Sequence, residues 1–178
     1  MQYRRAFLPG ASYFFTLVTE CRRPILASTA AVEVLRSAFR TVRKSRPFEI
    51  NAIVVLPDHL HCIWTLPSGD ADFATRWRLI KTHFTKQCDP ALRAEANPAR
   101  LAKREQAVWQ HRYWEHLLRD ETDYTQHVEY IHYNPVKHGY VASAMEWPYS
   151  SFQRHVAAGI YPESWGQGAG NFEGIGHE

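Results

Sequence analysis

Residues 48–66 read Phe48-Glu49-Ile50-Asn51-Ala52-Ile53-Val54-Val55-Leu56-Pro57-Asp58-His59-Leu60-His61-Cys62-Ile63-Trp64-Thr65-Leu66, and their pattern decides the fold. Phe48 to Leu56 is rich in β-branched and aliphatic side chains, which suit an extended, half-buried backbone. Pro57-Asp58 supplies a turn, because proline fixes φ and an aspartate side chain can bond the neighbouring backbone. The chain then returns from His59 to Leu66, so the segment predicts an antiparallel pair of strands.

Working outward, Ser12 to Thr19 follows a Pro9-Gly10 break and carries aromatic and β-branched residues, the signal of a buried first strand. Between the strands, Val32, Leu35, Ala38, Phe39 and Val42 recur at helical spacing, predicting a helix over 28–44 that Pro47 closes. A second amphipathic helix is predicted over 72–87, with Phe73, Trp77, Ile80 and Phe84 facing inward. Residues 89–105 hold two prolines and little periodicity and read as an exposed insertion loop within the domain. A further strand is expected within 108–118, then a helix capped by Asp120 and ending at Asn134 before Pro135. A last short helix is expected from Pro148 to about Ala158, followed by a Gly-rich tail. The order βαββα with one more strand predicts an α+β, ferredoxin-like antiparallel sheet with helices on one face. Residues 1–165 form one expected domain, with 166–178 as the tail.

The chain has 178 residues, 45% hydrophobic, with six Trp, nine Tyr and nine Phe, which excludes a disordered protein. A formal charge of +3 leans only slightly toward a polyanionic partner. Cys21, Cys62 and Cys88 are odd in number and lack CxxC pairing, so neither a disulfide framework nor a zinc cluster is expected, and a reducing cytosol fits. No signal-peptide core or bilayer-length apolar run is present in the sequence, so a cytoplasmic protein with no membrane role is expected.

Two short patterns carry chemistry. Alternation on a strand puts His59 and His61 on one face, roughly 7 Å apart, where both imidazoles can reach one cation. With ten His in the chain the pattern alone is weak, and its bland reading is a pair of satisfied histidines. The apolar neighbours tip the balance, since two imidazoles on one buried face are costly without a shared partner. Residues four apart on a helix share a side, so Tyr130 and Asn134 can address one point, the phenol as nucleophile and the amide oxygen as third metal ligand. The bland alternative is packing for the tyrosine and a helix end for the asparagine. Tyr113, Tyr124 and Tyr133 compete for the nucleophile role, and helical geometry favours Tyr130.

With these segments in view, the chain resembles the REP-associated tyrosine transposases, relatives of the single-tyrosine HUH transposases. The resemblance spans nearly the whole sequence, through Val54 to His61, Phe73 to Phe84, Trp109 to His116, Tyr130 to Gly139 and Trp147 to Ser151. It implies the HUH endonuclease type of fold, with His59 and His61 as the HUH histidines, Tyr130 as nucleophile and Asn134 as the polar ligand. It also implies recognition of short palindromic hairpins and cleavage of nearby single strands. The 89–105 insertion is longer than the family pattern suggests.

The expected activity is metal-dependent single-stranded DNA cleavage and strand transfer through a 5′-phosphotyrosine, with Mg²⁺ or Mn²⁺ as the cation and the nitrogen ligands favouring Mn²⁺. Single-stranded DNA with a hairpin is the expected partner, and a monomer is favoured over a dimer. Arg4, Arg5, Arg76, Lys81, Arg112 and Lys137 are candidate DNA contacts, and Trp114 a candidate base-stacking residue, although each has an ordinary surface or packing alternative. Trp77 reads as core. Two other functions stay open: a non-catalytic single-strand-binding module, which predicts affinity without metal dependence, and a metal hydrolase using water, which predicts cleavage with no protein-linked product.

Overall fold

The computed structural model describes residues 7–95, 98–102 and 106–167. Its four strands, β1 (Ser12–Val18), β2 (Glu49–Val55), β3 (His59–Thr65) and β4 (Trp114–Leu117), form an antiparallel sheet in the order β2-β3-β1-β4. The hairpin read from residues 48–66 is therefore one edge of the sheet and its neighbour.

Helices α1 (Thr29–Ser45) and α2 (Phe73–Gln87) cover one face of this sheet. Their starts follow capping chemistry: Ser28 Oγ accepts the Ala31 amide and Asp72 Oδ1 accepts the Thr75 amide, satisfying donors the first helical turn leaves open. Leu17, Leu60, Cys62 and Trp64 of the sheet meet Val32, Leu35 and Phe39 of α1 and Phe73, Trp77 and Phe84 of α2. Trp64 and Trp77 stack at 4.1 Å, so this core is dominated by large aromatic area. The α+β antiparallel plan expected from the sequence is present. Helix α4 (Glu121–Lys137) adds to it by packing Val128, Tyr130 and Ile131 onto the opposite face, against Phe14, Val54 and Ile63.

Four boundaries differ from expectation. The helix expected to end at Asn134 continues through Pro135 to Lys137. Proline in the last turn costs one backbone bond, and the end is secured by a positive-φ Gly139 whose N–H donates to Val136 O while Tyr140 N–H donates to Pro135 O. The strand expected over 108–118 is confined to β4, with Trp109 making only an isolated bridge to Thr19. The last helix, α5 (Phe152–Ala157), does not start at Pro148; residues 149–151 instead run beside β2, where Val55 N–H donates to Tyr149 O and Ser151 N–H to Ile53 O. An exposed edge of unpaired backbone groups is thereby covered. Finally, the 89–105 segment is not a bare loop. It contains the short α3 (Pro98–Ala102), whose buried Arg100 donates to Glu20 at 2.6 Å, and Leu92 O accepts from Arg23.

Candidate active site

Strand β3 begins at the site. His59 and His61 project to the α4 side, and Leu60 and Cys62 to the α1–α2 side. The two rings lie 4.9 Å apart between centroids and nearly perpendicular, and both are buried. Each is held at Nδ1. The Asp58 carboxylate accepts from His59 Nδ1 at 2.6 Å, which makes Nε2 the lone-pair nitrogen of that ring. Burial alone would raise the Asp58 carboxyl, but hydrogen bonds from His59 and Arg22 outweigh it and hold it below its ordinary value. Thr16, directly opposite His61 in the β1–β3 register, places Oγ1 2.8 Å from His61 Nδ1. A hydroxyl that accepts there leaves Nε2 of His61 as a second lone-pair nitrogen. A carboxylate or hydroxyl behind the imidazole is how proteins orient metal-binding histidines.

Helix α4 delivers the other two groups. Tyr130 is buried, with its ring 5.2 Å from His61 and inclined at 68°. Phe14 supports both, stacking on His61 at 5.4 Å and meeting Tyr130 edge-on at 6.0 Å. Asn134, one turn further on, is fully buried. The prolongation of α4 past Pro135 places Lys137 two turns from Tyr130 on the same side. Its Nζ donates to the Tyr130 hydroxyl at 3.3 Å and lies 4.9 Å from the ring centre. His138, at the helix end, packs against His59 at 5.2 Å.

Two of the competing tyrosines fall elsewhere: Tyr113 packs on Phe15 and Trp77 across the sheet, and Tyr124 lies half-buried against the α4-side core with its phenol raised by burial. Among the candidate DNA contacts, Arg4 and Arg5 lie outside the described residues. Arg76 must be withdrawn: it is 1% exposed, binds Asp70 at 2.7 Å and donates to the carbonyls of Arg46, Pro47 and Asp72. It is a structural cation joining the end of α1 to the start of α2. Lys81 is half-buried with Nζ on Gln110 O at 2.6 Å, Arg112 is exposed, and Trp114 is half-buried beside Phe14.

Sequence reasoning passed over Asp58, Thr16 and His138, and placed Lys137 on DNA rather than on the phenol. Two of these had a readable signal: Asp58 adjoins His59, and Lys137 stands two helical turns after Tyr130.

The donor set of two imidazole nitrogens and an amide oxygen, with Nε2 of each ring and Asn134 Oδ1 all buried, fits a divalent cation of intermediate hardness. A second group, His116, Asp123 and His127, brings three ligand atoms within 4.8 Å of one another. Its rings, however, stack at 17° and 4.8 Å, so a cation in the plane of one would sit off the plane of the other. Asp123 instead takes up both, its carbonyl accepting from His127 Nδ1 at 2.7 Å and its carboxylate from His116 at 2.9 Å and from Arg119. Against the effect of burial, those bonds hold its carboxyl at about 2. The cluster ties β4 to α4 one turn before Tyr130.

A buried phenol beside paired, back-supported histidines is the equipment of a tyrosine-dependent phosphodiester enzyme. The profile of a transposase family described as IS200-like matches residues 8–134. A REP-associated tyrosine transposase of Escherichia coli K12 is 47% identical over 164 residues, covering 92% of this chain and 90% of the relative. A putative REP-associated tyrosine transposase of Haemophilus influenzae Rd is also 47% identical over 164 residues, covering 92% of each chain. A solved REP-associated tyrosine transposase bound to a REP hairpin is 44% identical and superposes with a TM-score of 0.80, over 98% of this chain and 94% of that one. The chain belongs to the IS200-like tyrosine transposases and, within them, to the REP-associated branch. It is accordingly a transposase-type enzyme, and its family points to metal dependence. Among the described residues no helix is long and apolar enough to cross a membrane.

Proposed function

We propose that this enzyme nicks single-stranded DNA beside palindromic REP-type hairpins and rejoins the strand through a 5′-phosphotyrosine on Tyr130. The observation that carries the reading is the contact of the Tyr130 ring with His61 at 5.2 Å while Lys137 reaches the phenol oxygen. The hairpin-bound state of the 44% identical relative supports the choice of DNA.

His59, His61 and Asn134 would hold the cation, Mg²⁺ or Mn²⁺, and imidazole ligation favours Mn²⁺. When bound, such an ion polarises a non-bridging phosphate oxygen and offsets charge as the leaving group departs. The protein's residues do the rest. Phe14 and His61 fix the phenol ring, and Lys137 offers a proton-donating, positive neighbour to the oxygen as it becomes an attacking anion. The Tyr130 oxygen loses its proton to water and forms a bond to phosphorus, the bond from phosphorus to the 3′ oxygen breaks, and that oxygen takes a proton from water and leaves as a 3′-OH. Because the new ester conserves the bond energy, a 3′-OH from another strand can attack it and regenerate the phenol, giving strand transfer without a nucleotide cofactor.

We assign this activity to a single unit spanning 1–165, acting as a monomer in the cytoplasm on chromosomal repeats. Coverage of the β2 edge by residues 149–151 supports the monomer, since that edge is unavailable for sheet pairing between copies.

Incubation of the protein with a 3′-labelled hairpin substrate and Mn²⁺, followed by denaturing electrophoresis, tests the reading. The label should migrate with the protein, and Tyr130→Phe should abolish that band while hairpin binding persists. Label transfer by Tyr130→Phe, or cleavage with no protein-bound label, would refute it.

A further inference from the structure

Between β1 and α1 the chain makes a turn that no local sequence rule accounts for. Cys21 and Arg22 take φ of 55° and 50°, and among the described residues no other non-glycine residue enters the left-handed region. Neither is a glycine or an asparagine, the residues that suit such backbone, so the conformation has to be imposed by what surrounds it.

Two segments surround it. On one side the turn grips the loop before β3: Thr19 N–H donates to Asp58 O, Leu26 N–H to Pro57 O, and Arg22 Nη1 to Asp58 Oδ2 at 3.1 Å. On the other it is tied to the described part of the 89–105 insertion and to the residues that follow. Arg23 Nη1 donates to Leu92 O at 2.8 Å, Glu20 N–H donates to Val108 O at 2.9 Å, and the Glu20 carboxylate accepts from Arg100 of α3 at 2.6 Å. The insertion and the Pro57-Asp58 loop are thus joined through the left-handed turn.

Asp58 has both carboxylate oxygens committed as a result. Oδ1 accepts from His59 Nδ1 and Oδ2 from Arg22, so a rotation of the carboxylate that loosened the first bond would break the second. The Arg22 side chain is 44% exposed, and an ion pair so open to water contributes little through charge alone. What it supplies is direction.

Resting on the reading of His59 as a metal ligand, we propose that the 89–105 insertion is an outer brace of the metal site: by holding the Cys21-Arg22 turn in its left-handed form, it keeps Arg22 on Asp58 and so keeps His59 Nε2 aimed at the cation. Arg22 and Arg23 act through other groups and are positioning residues. The sign of one effect separates this role from plain electrostatics. A positive charge near the site repels Mn²⁺, so loss of Arg22 would tighten metal binding if charge were all that mattered. Loss of an orienting partner loosens it.

Electron paramagnetic resonance of free Mn²⁺, titrated against the full chain without DNA, measures the affinity apart from turnover. Arg22→Gly removes the side chain and gives the backbone the residue that best suits positive φ, so the melting temperature should hold or rise. Mn²⁺ should nevertheless bind about three- to tenfold more weakly, a smaller loss than for a residue bonded directly to the ligand ring. Arg23→Ala, which unties the turn from Leu92, should weaken binding about two- to threefold, and should add nothing in the Arg22→Gly background because the insertion acts through Arg22. Unchanged or tighter Mn²⁺ binding in Arg22→Gly, or a loss accompanied by a fallen melting temperature, would overturn Arg22 as a positioning residue. Additive losses in the double variant would overturn the insertion as the brace. If His59→Ala binds Mn²⁺ as the wild type does, the metal reading beneath the proposal fails instead.

Discussion

Lys137 Nζ stands 3.3 Å from the Tyr130 hydroxyl and 4.9 Å from the centre of its ring, an arrangement that follows from α4 running on past Pro135 for two further residues. In the proposed mechanism the ammonium thus meets the oxygen on which negative charge develops as the phosphodiester is attacked. Hydrogen bonds to charged groups contribute about 1.5–3 kcal/mol. Lys137→Ala should therefore slow covalent adduct formation by about 10- to 100-fold while hairpin affinity stays near wild type. Quenched-flow measurement of the adduct under saturating DNA checks this, and an unchanged rate would remove Lys137 from the chemistry.

The Asp58–His59 bond makes a separate prediction. The carboxylate fixes the His59 tautomer at 2.6 Å and is itself steadied by Arg22. Loss of such an outer partner costs about 10- to 100-fold in metal affinity or activity. Asp58→Asn should raise the Mn²⁺ concentration needed for half-maximal adduct formation by that factor, with the rate at saturating Mn²⁺ far less affected. A rate loss that saturating metal does not restore would mean that Asp58 acts on something other than the ligand ring.

The contrast between these two residues shows what was legible in the sequence. The sheet was readable because strand alternation and the Pro57-Asp58 turn are local, and the His59–His61 pair inherits its geometry from that alternation. Helical spacing placed Tyr130 and Asn134 on one helix, and both are buried there on α4. Thr16 was not, because its bond to His61 depends on the β1–β3 register across 45 residues of chain. Arg76 misled for a similar reason: its charge is spent on Asp70 and on carbonyls at the end of α1, partners that only tertiary packing brings together. Pro135 misled through a local rule, since proline commonly ends a helix but is tolerated in a final turn secured by Gly139.

On the far side of the sheet, Trp77 is fully buried and stacks on Trp64, with Phe15 and Phe39 at its edges. Trp77→Ala removes that centre without touching the site. Truncations of this kind cost about 3–5 kcal/mol, so denaturant unfolding should show the midpoint falling sharply. A loss below about 1 kcal/mol would show that the stacked pair is not the keystone of the α1–α2 core.

Acid sensitivity should centre on His132. Burial, and then the nearby positive charge of His155 and Arg154, lowers its pKa to about 3 from an ordinary 6.5. Ser151 Oγ accepts the Ile53 amide, so its own O–H is placed to donate to His132 Nε2 at 2.9 Å, which requires a neutral ring. A histidine with a depressed folded pKa contributes fully above its unfolded value. That contribution fades as pH falls from about 6.5 toward 3, at a slope of up to about 1.4 kcal/mol per pH unit for one proton. The consequence reaches the β2 edge, because Ser151 is what pins residues 149–151 there. The melting temperature should fall between pH 7 and pH 5. His132→Gln, which keeps an acceptor but cannot titrate, should start lower at pH 7 and decline less steeply. Parallel declines in the two proteins would move the acid-labile group elsewhere, with buried His127 the next to examine.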